Sequence, residues 1–379
     1  MKPRTLLFCA LLFAALLFVI VQPHEALAQE TLPKDVRSDS RSRLALSKPD
    51  APQGAAGIRL HGSGVAVRWE SPLGRALTEL AILTSAREHD QPYEWSLHEL
   101  EGIAVGLNPA VIDVVRNRKA LAGLGEKESI VIQMGREIFG RHELSSDTFA
   151  RAMKIFGEKN LVDIVSLMAD YAGTATRLTA VNQQMPPGWK QFLPLPFSAP
   201  EDIHSDSRSR LPLKQNQPQN RAAAPPLYSR NIAPEGTGPG QIRSHAGGMK
   251  SLEGSVGRRL MGLAILVSAR EHDSQYDWTM NEVAALKDGL EPAVIDVVPL
   301  RKPVTGLGEK ETVIIDFGRE LFSKHVVSPQ TYARALKVFG ERDLIDLVDL
   351  MAQHAADATL LTAFDQHLPV GQKPPLPIP

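Results

Sequence analysis

The chain has 379 residues, 43% of them hydrophobic and 22% charged, a globular composition with room for two or three domains. Its formal charge of −1 supplies no electrostatic basis for binding nucleic acid or an anionic membrane surface. The one cysteine, Cys9, has no partner, which excludes disulfide stapling and dithiol chemistry within the chain.

Lys2 and Arg4 precede an unbroken apolar run from Leu6 to Val21, and Ala26-Leu27-Ala28 offers the small residues that a signal peptidase reads. The run is shorter than the ~20 residues that span a bilayer comfortably. Residues 1–28 are therefore expected to be a signal peptide that takes Cys9 with it, and the mature chain to be exported, to a bacterial periplasm. Residues 29–74 are polar and rich in Ser, Pro, Gly and Arg, an extended or disordered arm. Two pieces of it return later. Ser38 to Leu44 recurs as Ser205 to Leu211, and Ile58-Arg59-Leu60-His61-Gly62 recurs more weakly as Ile242 to Ala246. Retained pieces suggest that the arm docks on the folded part.

Arg75 to Pro196 and Arg258 to Pro379 align without a gap at an offset of 183 residues, which is a duplicated domain and not a solenoid. Each copy reads as helical. Leu77 to Arg87 is apolar on most sides, as in a helix buried inside a bundle, and Glu94 to Val105 forms a second helix. Asn108-Pro109 starts a short helix to Arg116. Glu126 to Phe139 and a Ser145-capped helix to Phe156 follow, then an alanine-rich helix from Leu161 to Val181 that is able to pack closely. Residues 197–257 are rich in Pro, Gly, Asn and Gln and read as linker plus the second arm, without a packed core. The expected fold class is all-α, with domain 1 at 75–196 and domain 2 at 258–379.

The chemistry-bearing stretch is Glu79 to Glu99, ELAILTSAREHDQPYEWSLHE, repeated as GLAILVSAREHDSQYDWTMNE from Gly262 to Glu282. Glu94 and His98 are four apart and share a helix face. Glu79 joins them if the two helices pack antiparallel. A carboxylate and an imidazole directed into an apolar bundle are suited to acid-base work, because burial moves their proton affinities; a satisfied structural histidine is the alternative. The second copy has Gly262 and Asn281 at the positions of Glu79 and His98, which places candidate chemistry in the first copy. AREHD persists in both copies, as an ion-paired helix end would. Tyr93 and Trp95 either fill core or wall a pocket. Glu79, Glu94 and His98 are a weak metal set, and no phosphate loop, dinucleotide fingerprint or zinc pattern is present.

These residues, with the GREIF helix and LVDIVSLMADYAGTATRLTA, resemble the carboxymuconolactone decarboxylase family, the superfamily that includes alkylhydroperoxidase D. The resemblance covers about 75–186 and 258–369. It implies two tandem helical bundles, no cofactor, and subunits assembled as rings, here a trimer forming a pseudo-hexamer. The peroxidase branch uses a glutamate, a C-x-x-C and a histidine. That pattern sets the glutamate on Glu79 and the histidine on His98, while Gln91 and Glu94 stand at the cysteine positions, against peroxide chemistry. The decarboxylase branch implies lyase chemistry on a small lactone or unsaturated organic acid, with His98 as acid-base group, Glu79 orienting it, and Arg59 or His61 on the docked arm holding the substrate carboxylate. A non-catalytic ligand-binding or scaffolding role in the periplasm is the rival reading.

Overall fold

Caps and apolar spacing produce helices close to where the sequence places them. In the computed structural model, which describes residues 32–47, 57–60, 65–195, 201–214 and 236–377, the first half contains α1 (Val65–Glu70), α2 (Arg75–Glu88), α3 (Pro92–Ala104), α4 (Pro109–Arg116), α5 (Glu126–Arg141) and α6 (Ser146–Ala180). After the linker come α7 (Gly238–Arg243), α8 (Met249–Ser255), α9 (Arg258–Glu271), α10 (Gln275–Lys287), α11 (Pro292–Ile295), α12 (Glu309–Ser323) and α13 (Pro329–Ala363). The described residues are all-α, with isolated bridges in the arms and no sheet. Among them no helix is long and apolar enough to cross a membrane. The segment 1–28, expected to be a signal peptide, lies outside the described residues.

The side chains of Gln91, Asn108, Ser145 and Ser328 accept backbone N–H groups in the first turns of α3, α4, α6 and α13. Each long helix is two limbs, because Gly157 (φ 71°) and Gly340 (φ 73°) break the helical path. This left-handed conformation costs glycine nothing. The limbs of α6 are the two separate helices that the sequence predicts. α2 is buried almost throughout and packs against α3, α5 and α6. The GREIF helix owes its glycine to that packing: a Cβ on Gly135 would overlap Thr84 of α2, and one on Gly318 would overlap Val267 of α9. Its glutamate organises the next helix, with Glu137 accepting from the backbone N–H of Ser145 at 2.9 Å and Glu320 from that of Ser328 at 2.9 Å.

The two halves are joined through their longest helices. α6 and α13 pack along each other, so closely that a Cβ on Gly173 would sit 3.0 Å from the Ala352 carbonyl. Arg177 and Asp349 form an ion pair across them at 2.6 Å. Leu360, Ala363 and Phe364 complete the core of the first half, and Ala180 enters that of the second. Leu32–Pro379 is therefore one compact unit.

The arms dock crosswise. Arg43 donates to the Leu144 carbonyl of its own half (2.8 Å) and to Ala363 at the end of α13 (3.3 Å). Arg210 donates to Val327 of its own half (2.8 Å) and to Ala180 at the end of α6 (3.1 Å). Each repeated Ser-Arg-Leu thus supplies donors to carbonyls that a helix C-terminus leaves open. The linker departs from its polar reading. Leu211, Ile242 and Leu252 are fully buried, and α7 and α8 form where docking against the bundle provides the core that their own sequence lacks.

Candidate functional site

α2 and α3 run antiparallel through a turn in which Asp90 takes a left-handed conformation (φ 48°). This brings Glu79 of α2 against one face of α3, where Glu94, His98 and Glu101 are stacked at helical spacing. Nδ1 of His98 lies 2.7 Å from Oε2 of Glu79, and both side chains are buried. Arg68 of α1 donates through Nε to Oε1 of Glu79 (3.0 Å) and through a terminal nitrogen to Glu101. It also reaches the Tyr171 hydroxyl of α6 at 3.0 Å. Arg75 donates to the same two carboxylates at 2.5 and 3.3 Å. Trp69 lies against both guanidinium groups, 4.6 Å from that of Arg68 and 3.9 Å from that of Arg75. Tyr171 meets the His98 ring edge-on at 4.9 Å.

The electrostatics separate the two central carboxylates. Burial alone would raise the pKa of Glu79, but His98, Arg68 and Arg75 outweigh it and hold the group well below the usual carboxylate range. Glu94 is raised well above its ordinary 4.5, first by burial and then by Asp170, with Arg68 only partly opposing. Both Glu94 oxygens are buried without a hydrogen-bond partner, and so is Nε of Arg75. Unsatisfied buried polar atoms are rare and cluster where a ligand or water completes them. Nδ1 is the His98 nitrogen directed at Glu79, which leaves Nε2 as the nitrogen not engaged by that carboxylate. One oxygen or nitrogen from each of Glu79, His98 and Glu101 lies within 4.8 Å of the others. Arg68 and Arg75 already balance both carboxylates there, so the protein itself supplies the positive charge.

Trp95 and Tyr93 are engaged elsewhere in the fold. Trp95 is fully buried in the core, its indole N–H donating to Glu99 at 2.7 Å, and Glu99 in turn pairs with Arg116. Tyr93 packs with Leu178, Val181, Leu211 and Ile242 and donates its hydroxyl to Thr237 at 2.9 Å, on the side facing the second arm. Arg59 belongs to the short piece 57–60 that pairs with Ala45 and Ser47. Arg68 and Arg75 donate to Glu79. His61 lies outside the described residues. AREHD is an ion-paired helix end: Arg87 pairs with Asp90 and donates to the Arg116 carbonyl at 2.8 Å, and Arg270 repeats this with Asp273 and Pro299.

Four members of the site were not singled out from the sequence. Arg75 and Glu101 carried a signal, lying four residues before Glu79 and three after His98. Arg68 and Tyr171 carried none, since only tertiary packing brings α1 and α6 to this point. In the second half most of the constellation changes: Ser251, Gly262, Asp277, Asn281, Ala284 and His354 stand at the positions of Arg68, Glu79, Glu94, His98, Glu101 and Tyr171, while Arg258 keeps the place of Arg75. A different pair forms there, with Nδ1 of His354 2.9 Å from Oδ2 of Asp277. Gly262 lets the Ala285 side chain fill the space opposite. Comparison with protein-family models finds no match for this chain, and comparisons with curated proteins and solved structures find none either.

Proposed function

We propose that the protein is an exported enzyme resembling carboxymuconolactone decarboxylases, with cofactor-independent lyase chemistry on a small lactone or unsaturated organic acid centred on Glu79, His98 and Glu94. One observation carries the reading. An oriented imidazole, 2.7 Å from a carboxylate held ionised, stands one helical turn from a buried carboxyl with no partner. In this reading the substrate's carbon–carboxylate bond breaks, CO2 leaves, and the electron pair passes into the conjugated system and onto its carbonyl oxygen. Glu94, kept neutral by burial, donates a hydrogen bond to that oxyanion. His98 delivers a proton to carbon, and Glu79 stabilises the charged imidazolium between uptake and delivery. Arg75, whose Nε is unpartnered, anchors a second carboxylate of the substrate. The chain assembles as a trimer with pseudo-hexameric symmetry.

A non-catalytic ligand-binding or scaffolding role is the second reading, favoured by the second half, where Gly262 and Asn281 replace Glu79 and His98. The two separate in one assay. The chain from Gln29 onward and its His98→Ala variant are mixed with 4-carboxymuconolactone and a panel of unsaturated lactone acids, and CO2 release is followed. Turnover by the parent and none by the variant supports the lyase. Equal turnover removes His98 from the mechanism, and silence from folded parent protein favours the binder.

A further inference from the structure

Four of the 11 histidines meet where the two halves abut, away from Glu79 and His98. His89 ends α2, His142 ends α5, His272 ends α9, and His325 follows α12. They line one cavity together with Glu88 and Glu271. The rings form two pairs, each taking one histidine from each half: His89 with His325, centroids 5.9 Å apart, and His142 with His272 at 6.1 Å. The offset of 183 residues converts one pair into the other.

Each ring is oriented through Nδ1. His89 and His272 donate to the Ser85 and Ser268 carbonyls, both at 2.8 Å. His142 meets Asp273 at 2.9 Å and His325 faces Asp90 at 3.8 Å. Phe139 and Phe322 hold the His89 and His272 rings edge-on at 4.7 Å. No described residue hydrogen-bonds to Nε2 of any of the four. His142 and His325 take the left-handed backbone common just past a helix C-terminus, with φ of 52° and 50°.

An Nδ1–H given to a carbonyl or carboxylate is the outer-shell arrangement that orients an imidazole toward a metal. A bond of about 2.0–2.1 Å from each Nε2 to a shared ion puts the two ring centres about 5–6.5 Å apart. Both pairs have that spacing. We propose that this cavity is a divalent transition-metal site, holding one zinc-class ion between His89 and His325 and a second between His142 and His272, with water completing the shells, since Glu88 is held by Arg118 and Glu271 by Arg301 and Ser323. The ions would fasten the two halves together at a point that neither half forms alone.

The test uses tag-free protein and zinc chloride in titration calorimetry. Wild-type protein is expected to bind two equivalent ions. Replacing one ligand of each pair, His89→Asn with His272→Asn, is expected to weaken binding by more than about tenfold, while His98→Asn leaves it unchanged. Failure of the wild type to bind, unchanged binding in the double variant, or loss in His98→Asn would each overturn the proposal. If the double variant does not fold, the electron paramagnetic resonance spectrum of wild-type protein loaded with Cu2+ decides. Superhyperfine coupling to two nitrogens supports the site, and coupling to one or none overturns it.

Discussion

Glu79 and Glu94 are buried carboxylates on facing helices, and their surroundings drive them in opposite directions. Glu79 has two guanidinium groups and an imidazole within hydrogen-bond reach; Glu94 has no partner for either oxygen. The folded state takes up protons at Glu94 more readily than the unfolded chain does, so this residue subtracts stability progressively as pH rises above its unfolded value of 4.5. Glu79 behaves oppositely. Its contribution is fully present above 4.5 and is lost as pH falls through its lowered folded pKa. Glu94→Gln should therefore gain on the parent as pH rises from 4.5 to 8. Glu79→Gln should lose about 3–5 kcal/mol at neutral pH, because it leaves two buried arginines with one carboxylate fewer, and its deficit should shrink in acid. Urea melts from pH 4.5 to 8 check Glu94 and melts from pH 4.5 down to about 2 check Glu79; a variant whose curve runs parallel to the parent's within its own window would refute that assignment. The helical spacing of Glu94 and His98, and the antiparallel placing of Glu79, were legible in the sequence. The sign of each titration was not, since at Glu79 it rests on His98, Arg68 and Arg75 outweighing burial and at Glu94 on burial itself, and only packing brings Arg68 to the site and sets how deeply each carboxyl is buried.

The helices that carry their own signals match the sequence reading to within a few residues at their ends. Asn108-Pro109, Ser145 and Ser328-Pro329 start helices locally, and the apolar faces of α2 and α5 are continuous enough to declare their period. α1, α7 and α8 were not legible. They have six or seven residues each, too short to be stable alone, and form because the bundle buries Arg68, Ile242 and Leu252. The repeated Ser-Arg-Leu pieces did announce that the arms dock, but not that each would reach the opposite long helix. That crossing is testable. Arg43→Ala and Arg210→Ala each remove a buried donor from helix-terminal carbonyls, and each should cost about 1–3 kcal/mol in urea unfolding. The two sites share no partner, so the losses should add. A loss below a few tenths of a kcal/mol from either variant would mean that its arm lies on the bundle without holding it.

At the scale of the molecule, joining the two halves uses some helix faces and leaves others open. The long helices, the helix-terminal residues Leu360, Ala363 and Phe364, and the crossed arms use one set of surfaces to join the halves within one chain. A second set is left open on α10, where Met280, Val283 and Leu286 recur at three-residue spacing and are 48%, 70% and 43% exposed. On α3 the corresponding Leu97 is partly buried against the cluster that contains Leu211 and Ile242 of the second arm. No described segment gives Met280 that cover. Single exposed apolar residues need no explanation, but three in a row on one helix face form a patch of the kind that partners bury. The trimer proposed above supplies the partner, a second copy of the chain. Light scattering after size exclusion should then give three chain masses for the parent, whereas Val283→Glu with Met280→Glu should give one. The helical circular dichroism of the variant should be unchanged, because neither side chain enters the core. A parent that elutes at one chain mass would refute the assembly, and a variant that stays trimeric would move the interface off α10.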